Sequence, residues 1–125
     1  MIGNIKIIAV CMCKVYDERN YRIIRALNNL AVENDYRLFV YHTCSDLYWK
    51  TLSEKGEQSV FDLIDYNITD AVVTFEEGVY AENVMTKIRM DAAKYGKPVI
   101  SVGVEHDDCI SIKFDYAKGF EQVVR

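Results

Sequence analysis

The sequence predicts an α/β fold: a mostly parallel, doubly wound sheet with helices on both faces. Three observations carry that expectation. The first apolar run, Ile5 to Cys13 (IKIIAVCMC), contains a single charge and reads as a strand buried on both faces, the middle of a parallel sheet. It is followed at once by a polar helix start, where Asp17 can cap and Ile23, Ile24, Leu27, Leu30 and Ala31 recur at helical spacing. Strand-like and helix-like segments then alternate with short connections in the order βαβαβαββα.

The elements follow in order. Asn34-Asp35 breaks the first helix, and Tyr36 to Cys44 (YRLFVYHTC), rich in aromatic and β-branched residues, reads as a second strand. Ser45 to Leu52 is a polar loop carrying Tyr48 and Trp49. Ser53 is a plausible cap, and Val60, Phe61, Leu63 and Ile64 mark a helix ending near Asn67. Asp70 to Phe75 (DAVVTF) is a third strand. Glu76-Glu77-Gly78 turns into a third helix with Val84, Met85, Ile88 and Ala92 on its inner face. Gly96 suits the left-handed position past that helix, and Pro98 prevents continuation. Pro98 to Val104 is a fourth strand, Glu105 to Asp108 an acidic turn and Cys109 to Asp115 a fifth strand. A last helix begins at Ala117, and its stripe of Phe120, Val123 and Val124 is cut short at Arg125, which reads as a fragment of a longer protein. The expected strand order is the flavodoxin-like 2-1-3-4-5.

Bulk properties narrow the classes. The 125 residues suffice for one domain with a real core, and the 50% hydrophobic and 27% charged content is that of a globular chain. A formal net charge of -4 with scattered Lys and Arg argues against a nucleic-acid surface. No run approaches the ~20 apolar residues of a membrane span. Only Lys6 precedes the apolar run and no small-residue cleavage site follows it, so a signal peptide is not expected. Cys11, Cys13, Cys44 and Cys109 are then expected as free thiols in a reducing, cytoplasmic compartment.

Several constellations invite a chemical reading. Cys13 and Arg19 fit C-x5-R, the phosphate loop of low-molecular-weight tyrosine phosphatases, between first strand and first helix. That chemistry needs a thiolate, an arginine and backbone N–H groups converging on a dianion. Here the loop lacks glycine, places Asp17 and Glu18 where phosphate would sit, and has Asn20 for the usual hydroxyl residue, so like charges oppose it. A receiver domain has the same strand plan but needs acidic residues after the first strand and an aspartate after the third; Cys11-Met12-Cys13-Lys14 and Phe75-Glu76 stand there instead. His42 and His106, the two histidines, do not share ligand spacing with the cysteines, and no metal or cofactor is expected. Tyr16, Tyr21, Tyr48 and Trp49 are aromatics at strand-end loops that can stack on a sugar or base ring.

Four segments in order resemble the first lobe of the periplasmic-binding-protein-like (type I) sensor domains, the fold of lac-repressor-family regulators. Asp35 to Asp46 (DYRLFVYHTCSD) is similar to that family's GY-x-L-x-x-x-x-T-x-S-D segment. Tyr66 to Phe75 resembles its x-x-V-D-G-I-I, Gly96 to Val102 its G-I-P-V-V-x-V, and Ser111 to Gly119 its S-V-x-x-D-N-x-x-G. The first loop departs from the family, with Asp17-Glu18-Arg19-Asn20-Tyr21 in place of Asn-Pro-Phe-Phe.

The resemblance covers essentially the whole chain and implies a single α/β lobe, residues 1–125, that forms half of a two-lobe ligand-sensing domain. It implies a first-lobe wall of Tyr16, Asp17 and Tyr21 after strand one, and Thr43, Ser45 and Asp46 after strand two. Phe75 and Glu76 after strand three, Glu105 and His106 after strand four, and Asp115 and Lys118 near strand five complete it. The implied ligand is a small polar molecule of the sugar or nucleoside class. The implied output is a diguanylate cyclase of the GGDEF type or a transcription regulator, with no catalysis and no direct nucleic-acid contact in the lobe itself. A homodimer is expected, with Trp49 to Phe61 contributing. The alternatives are a Cys13-dependent phosphatase and a pure dimerisation module.

Overall fold

A computed structural model describes residues 5–44, 52–76 and 82–112. Its centre is β1 (Lys6–Cys13), whose last five residues are all buried. It is flanked by β2 (Tyr36–Thr43) and β3 (Ala71–Phe75), and the sheet continues through β4 (Val99–Val102) to β5 (Ile110–Ile112). The order is β2-β1-β3-β4-β5 and every pairing is parallel. The doubly wound sheet expected from the alternating pattern is therefore present, wholly parallel.

Because side chains alternate along a strand, β1 feeds two cores. Ala9 and Cys11 face one side, where they join Phe61, Ile64, Tyr66, Val72, Met85, Ile88, Ala92 and Val99. Val10 and Met12 face the other, with Val73 and Val102, against Ile24 and Leu27 of α1 (Glu18–Glu33). The Asp17 carboxylate caps α1 by accepting the Arg19 amide at 3.2 Å, and Asp35 (φ 64) turns the chain into β2. Asp70 ties β3 to β1 twice: its carboxylate accepts the Ile7 amide, and its own amide donates to the Ile7 carbonyl, both at 2.8 Å.

The segment expected as one helix before β3 is a short α2 (Leu52–Gln58) running into a 3₁₀ turn, Ser59–Leu63. Phe61 and Ile64 are buried there, whereas Leu63 is exposed. Phe61 in the turn and Ile64 just past its end, three residues apart, both point inward. Phe61, expected at a dimer interface, belongs to the core instead.

On the same face lies α3 (Glu82–Lys94), which buries Met85, Ile88, Arg89 and Ala92. Its end is a Schellman motif: Lys97 N–H donates to the Ala92 carbonyl and Gly96 N–H to the Ala93 carbonyl, with Gly96 at φ 68. Parallel neighbours usually require a crossover of about a dozen residues, yet residues 103–109 alone join β4 to β5. The shortness of β5 permits this, since the return path is only about 10 Å at ~3.3 Å per residue.

Candidate functional site

In an open parallel sheet the loops diverge where the strand order reverses, opening a crevice beyond the carboxyl ends of the strands. Here the reversal lies between β1, which leads outward to β2, and β3, which leads the other way to β4. On the β1 side, Lys14 adopts φ 54 and donates its amide to the Thr43 carbonyl at 2.7 Å. Asn20 holds the turn from below, its Nδ2 donating to the Cys13 and Lys14 carbonyls at 3.2 and 3.1 Å. The Tyr16 hydroxyl reaches across to the Cys44 carbonyl at 2.6 Å, and the Cys44 amide donates to Glu57 Oε1 at 2.8 Å. These bonds fix the Tyr16 ring at the rim while leaving it 64% exposed, with Tyr21 54% exposed. Asp17 is also exposed, although one carboxylate oxygen serves the cap.

The β3 side is built differently. Glu76 is buried, and its Oε1 accepts from Arg89 Nη1 and from His106 Nε2, each at 3.0 Å. Its Oε2 accepts from the Thr74 hydroxyl at 2.8 Å. A carboxylate only accepts, so His106 carries its proton on Nε2. Arg89 Nη2 donates to the Thr86 hydroxyl at 3.2 Å, and Asp108 Oδ1 lies 3.8 Å from Arg89 Nε. The β4–β5 turn is pinned beneath: Ser111 Oγ accepts the His106 amide at 2.9 Å and donates to the His106 carbonyl at 3.1 Å. Ser101 Oγ donates to the Val104 carbonyl at 2.8 Å and sits 3.1 Å from Ser111 Oγ. Thr74, Ser101 and Ser111 occupy one register row across β3, β4 and β5, which gives this end of the sheet a hydroxyl floor.

The residues expected to form one wall therefore divide. Tyr16, Asp17, Tyr21 and Glu105 are exposed at the rim. Phe75 is half-buried and packs into the α1-side core. Thr43 is 2% exposed, so its side chain is interior. Glu76 and His106 bind each other, which makes them holders of the turn before they are anything else. Ser45, Asp46, Asp115 and Lys118 lie outside the described residues, as do Tyr48 and Trp49. Arg89, Asp108 and the hydroxyl floor were not expected from the sequence. The one available signal for Arg89 was its place on the buried 85-88-89-92 stripe of α3, where an arginine must find a carboxylate.

Around Cys13 the geometry is that of a closed turn. Cys13 is 6% exposed, and the Arg19 amide, which a phosphate would need, is given to Asp17. Cys11 is fully buried, and desolvation pushes its thiol well above the ordinary range. Among the described residues no group of three or more His, Cys, Asp or Glu could hold a metal ion. No helix among them is long and apolar enough to cross a membrane. No family model matches the chain, and no curated protein does.

Proposed function

We propose that this chain is one lobe of a two-lobe small-molecule-sensing domain, with its strand-end rim as one wall of the ligand cleft. The observation that carries the reading is the parallel β2-β1-β3-β4-β5 sheet with exposed Tyr16, Asp17, Tyr21 and Glu105 at its switch-point rim. Aromatic faces beside carboxylates suit a hydroxyl-rich ligand of the sugar or nucleoside class: the rings stack and the carboxylates accept hydroxyl protons. The Glu76–Arg89–His106 network serves this role by holding the β4–β5 turn rigid behind the rim, so that Glu105 is presented at low entropic cost. Ligand closing the two lobes would bias an output domain by its higher affinity for the closed state. A diguanylate cyclase or a transcription regulator is the output proposed, acting as a homodimer.

Isothermal titration of the full-length protein against sugars and nucleosides tests this. Saturable binding is expected, weakened about tenfold or more in a Tyr16→Ala, Asp17→Ala variant through loss of stacking and a charged hydrogen bond. Binding that ignores both substitutions, or no binding by any compound of either class, refutes the reading.

A further inference from the structure

The helix-free return from β4 to β5 has a steric consequence on the α3 side of the sheet. A crossover helix about 10 Å across would normally fill the space beside α3, whereas here only the short β4–β5 turn occupies it. A groove of about 280 Å³ remains, lined by Arg89, Met90, Lys97, Pro98, Asp108 and Ile110 among others. Arg89 is 7% exposed, and its Nε is buried with no hydrogen-bond partner among the described residues. Asp108 Oδ1 lies 3.8 Å from Nε, beyond hydrogen-bond distance, and the Asp108 side chain is 65% exposed.

We propose that this groove binds a small carboxylate with a short apolar tail, whose oxygen takes the Arg89 Nε–H in place of Asp108. Both terminal nitrogens of the guanidinium are anchored, Nη1 on Glu76 and Nη2 on Thr86, so the Nε–H is held in place and little side-chain entropy is lost when an acceptor arrives. Exchanging Asp108 for a ligand carboxylate leaves the net charge around Arg89 unchanged. It also releases an exposed side chain whose contact is weak. Lys97 adds positive charge to the groove. Met90 and Ile110, 64% and 62% exposed, provide apolar wall for the tail. The volume falls just under the ~300 Å³ at the lower end of ligand pockets, which suits a short branched acid. Two strands, β3 and β4, separate β5 from the loop that bears Tyr16, so the groove is a second place beside the cleft proposed above, sharing with it the Arg89 network and the β4–β5 turn.

The test is a ¹H–¹⁵N titration of the full chain with 3-methylbutanoate, and with 3-methylbutanamide as its uncharged counterpart. Saturable shifts of the Met90, Lys97 and Ile110 amides are expected with the acid alone. Asp108→Asn, which removes the competing carboxylate, should tighten acid binding roughly two- to fivefold. Arg89→Lys should weaken it about tenfold, since an ammonium cannot reproduce the fixed planar donor. Should Arg89→Lys fail to fold, the amide control and Asp108→Asn still decide. No saturable shift, an equal response to acid and amide, shifts centred away from the groove, or weaker binding by Asp108→Asn would each overturn the proposal.

Discussion

Glu76 and Arg89 form a buried ion pair whose worth can be worked out from its surroundings. Glu76→Gln removes the charge while keeping the shape. The carboxylate it replaces accepts three hydrogen bonds, from Arg89, His106 and Thr74, and a single amide oxygen cannot serve all three donors. Arg89 is then left buried, with the exposed Asp108 at 3.8 Å to neutralise it among the described residues. Removing one partner of a buried pair costs about 3–5 kcal/mol, and the residual amide acceptor puts this case near ~3 kcal/mol. For a domain of this size that is a fall in Tm of roughly 10 °C. Arg89→Met should cost about as much, because it strands the carboxylate. The double variant Glu76→Gln, Arg89→Met buries no charge, so its loss should be smaller than the sum of the two by about 2 kcal/mol. Urea unfolding at pH 7, followed by far-UV circular dichroism, measures all three. Single losses below about 1 kcal/mol, or a double loss equal to the sum, would refute the view that these groups hold the β4–β5 turn as a pair.

Three further outcomes are expected. Cys11 has its thiol pKa raised from 9.0 by burial, so the folded state keeps a proton that the unfolded chain loses. This contribution is complete below about pH 9 and declines above it by ~1.4 kcal/mol per pH unit. Stability against pH from 8 to 10.5 should therefore fall less steeply in Cys11→Ala than in the parent, and parallel slopes would count against it. Met85→Ala, at 1% exposure, should cost about 2–5 kcal/mol in urea titrations. Leu63→Ala, at 71% exposure, should stay within about 0.5 kcal/mol, and similar losses for both would contradict the packing described. Gly96→Ala forces a side chain into the left-handed region at φ 68 with open space around it, so about 1–2 kcal/mol of backbone strain should appear in the same assay.

The legible part of the fold was the part that local pattern governs. Val10, Met12 and Val72 are as buried as their apolar runs required, and Gly96 ends α3 as its neighbours Lys97 and Pro98 foretold. Ser59–Leu63 winds as a 3₁₀ turn although its apolar spacing suits an α-helix equally well, since residues at i and i+3 fall on one face of either helix type. The site was less legible. Tyr16 and Tyr21 could be placed at the rim because they follow a recognisable strand end. Glu76 was placed there for the same reason, but nothing near it in the chain showed that its oxygens were already taken.

The sequence by itself determined the class of fold and most of the interior, because hydrophobic period is a local property and burial follows it directly. Only the tertiary structure decided which polar groups meet. Glu76 finds Arg89 thirteen residues on and His106 thirty residues on, brought together from a strand end, a helix and a turn. Such a meeting depends on how α3 lies on the sheet and how a short connection returns beside it. No periodicity within either segment encodes those distances.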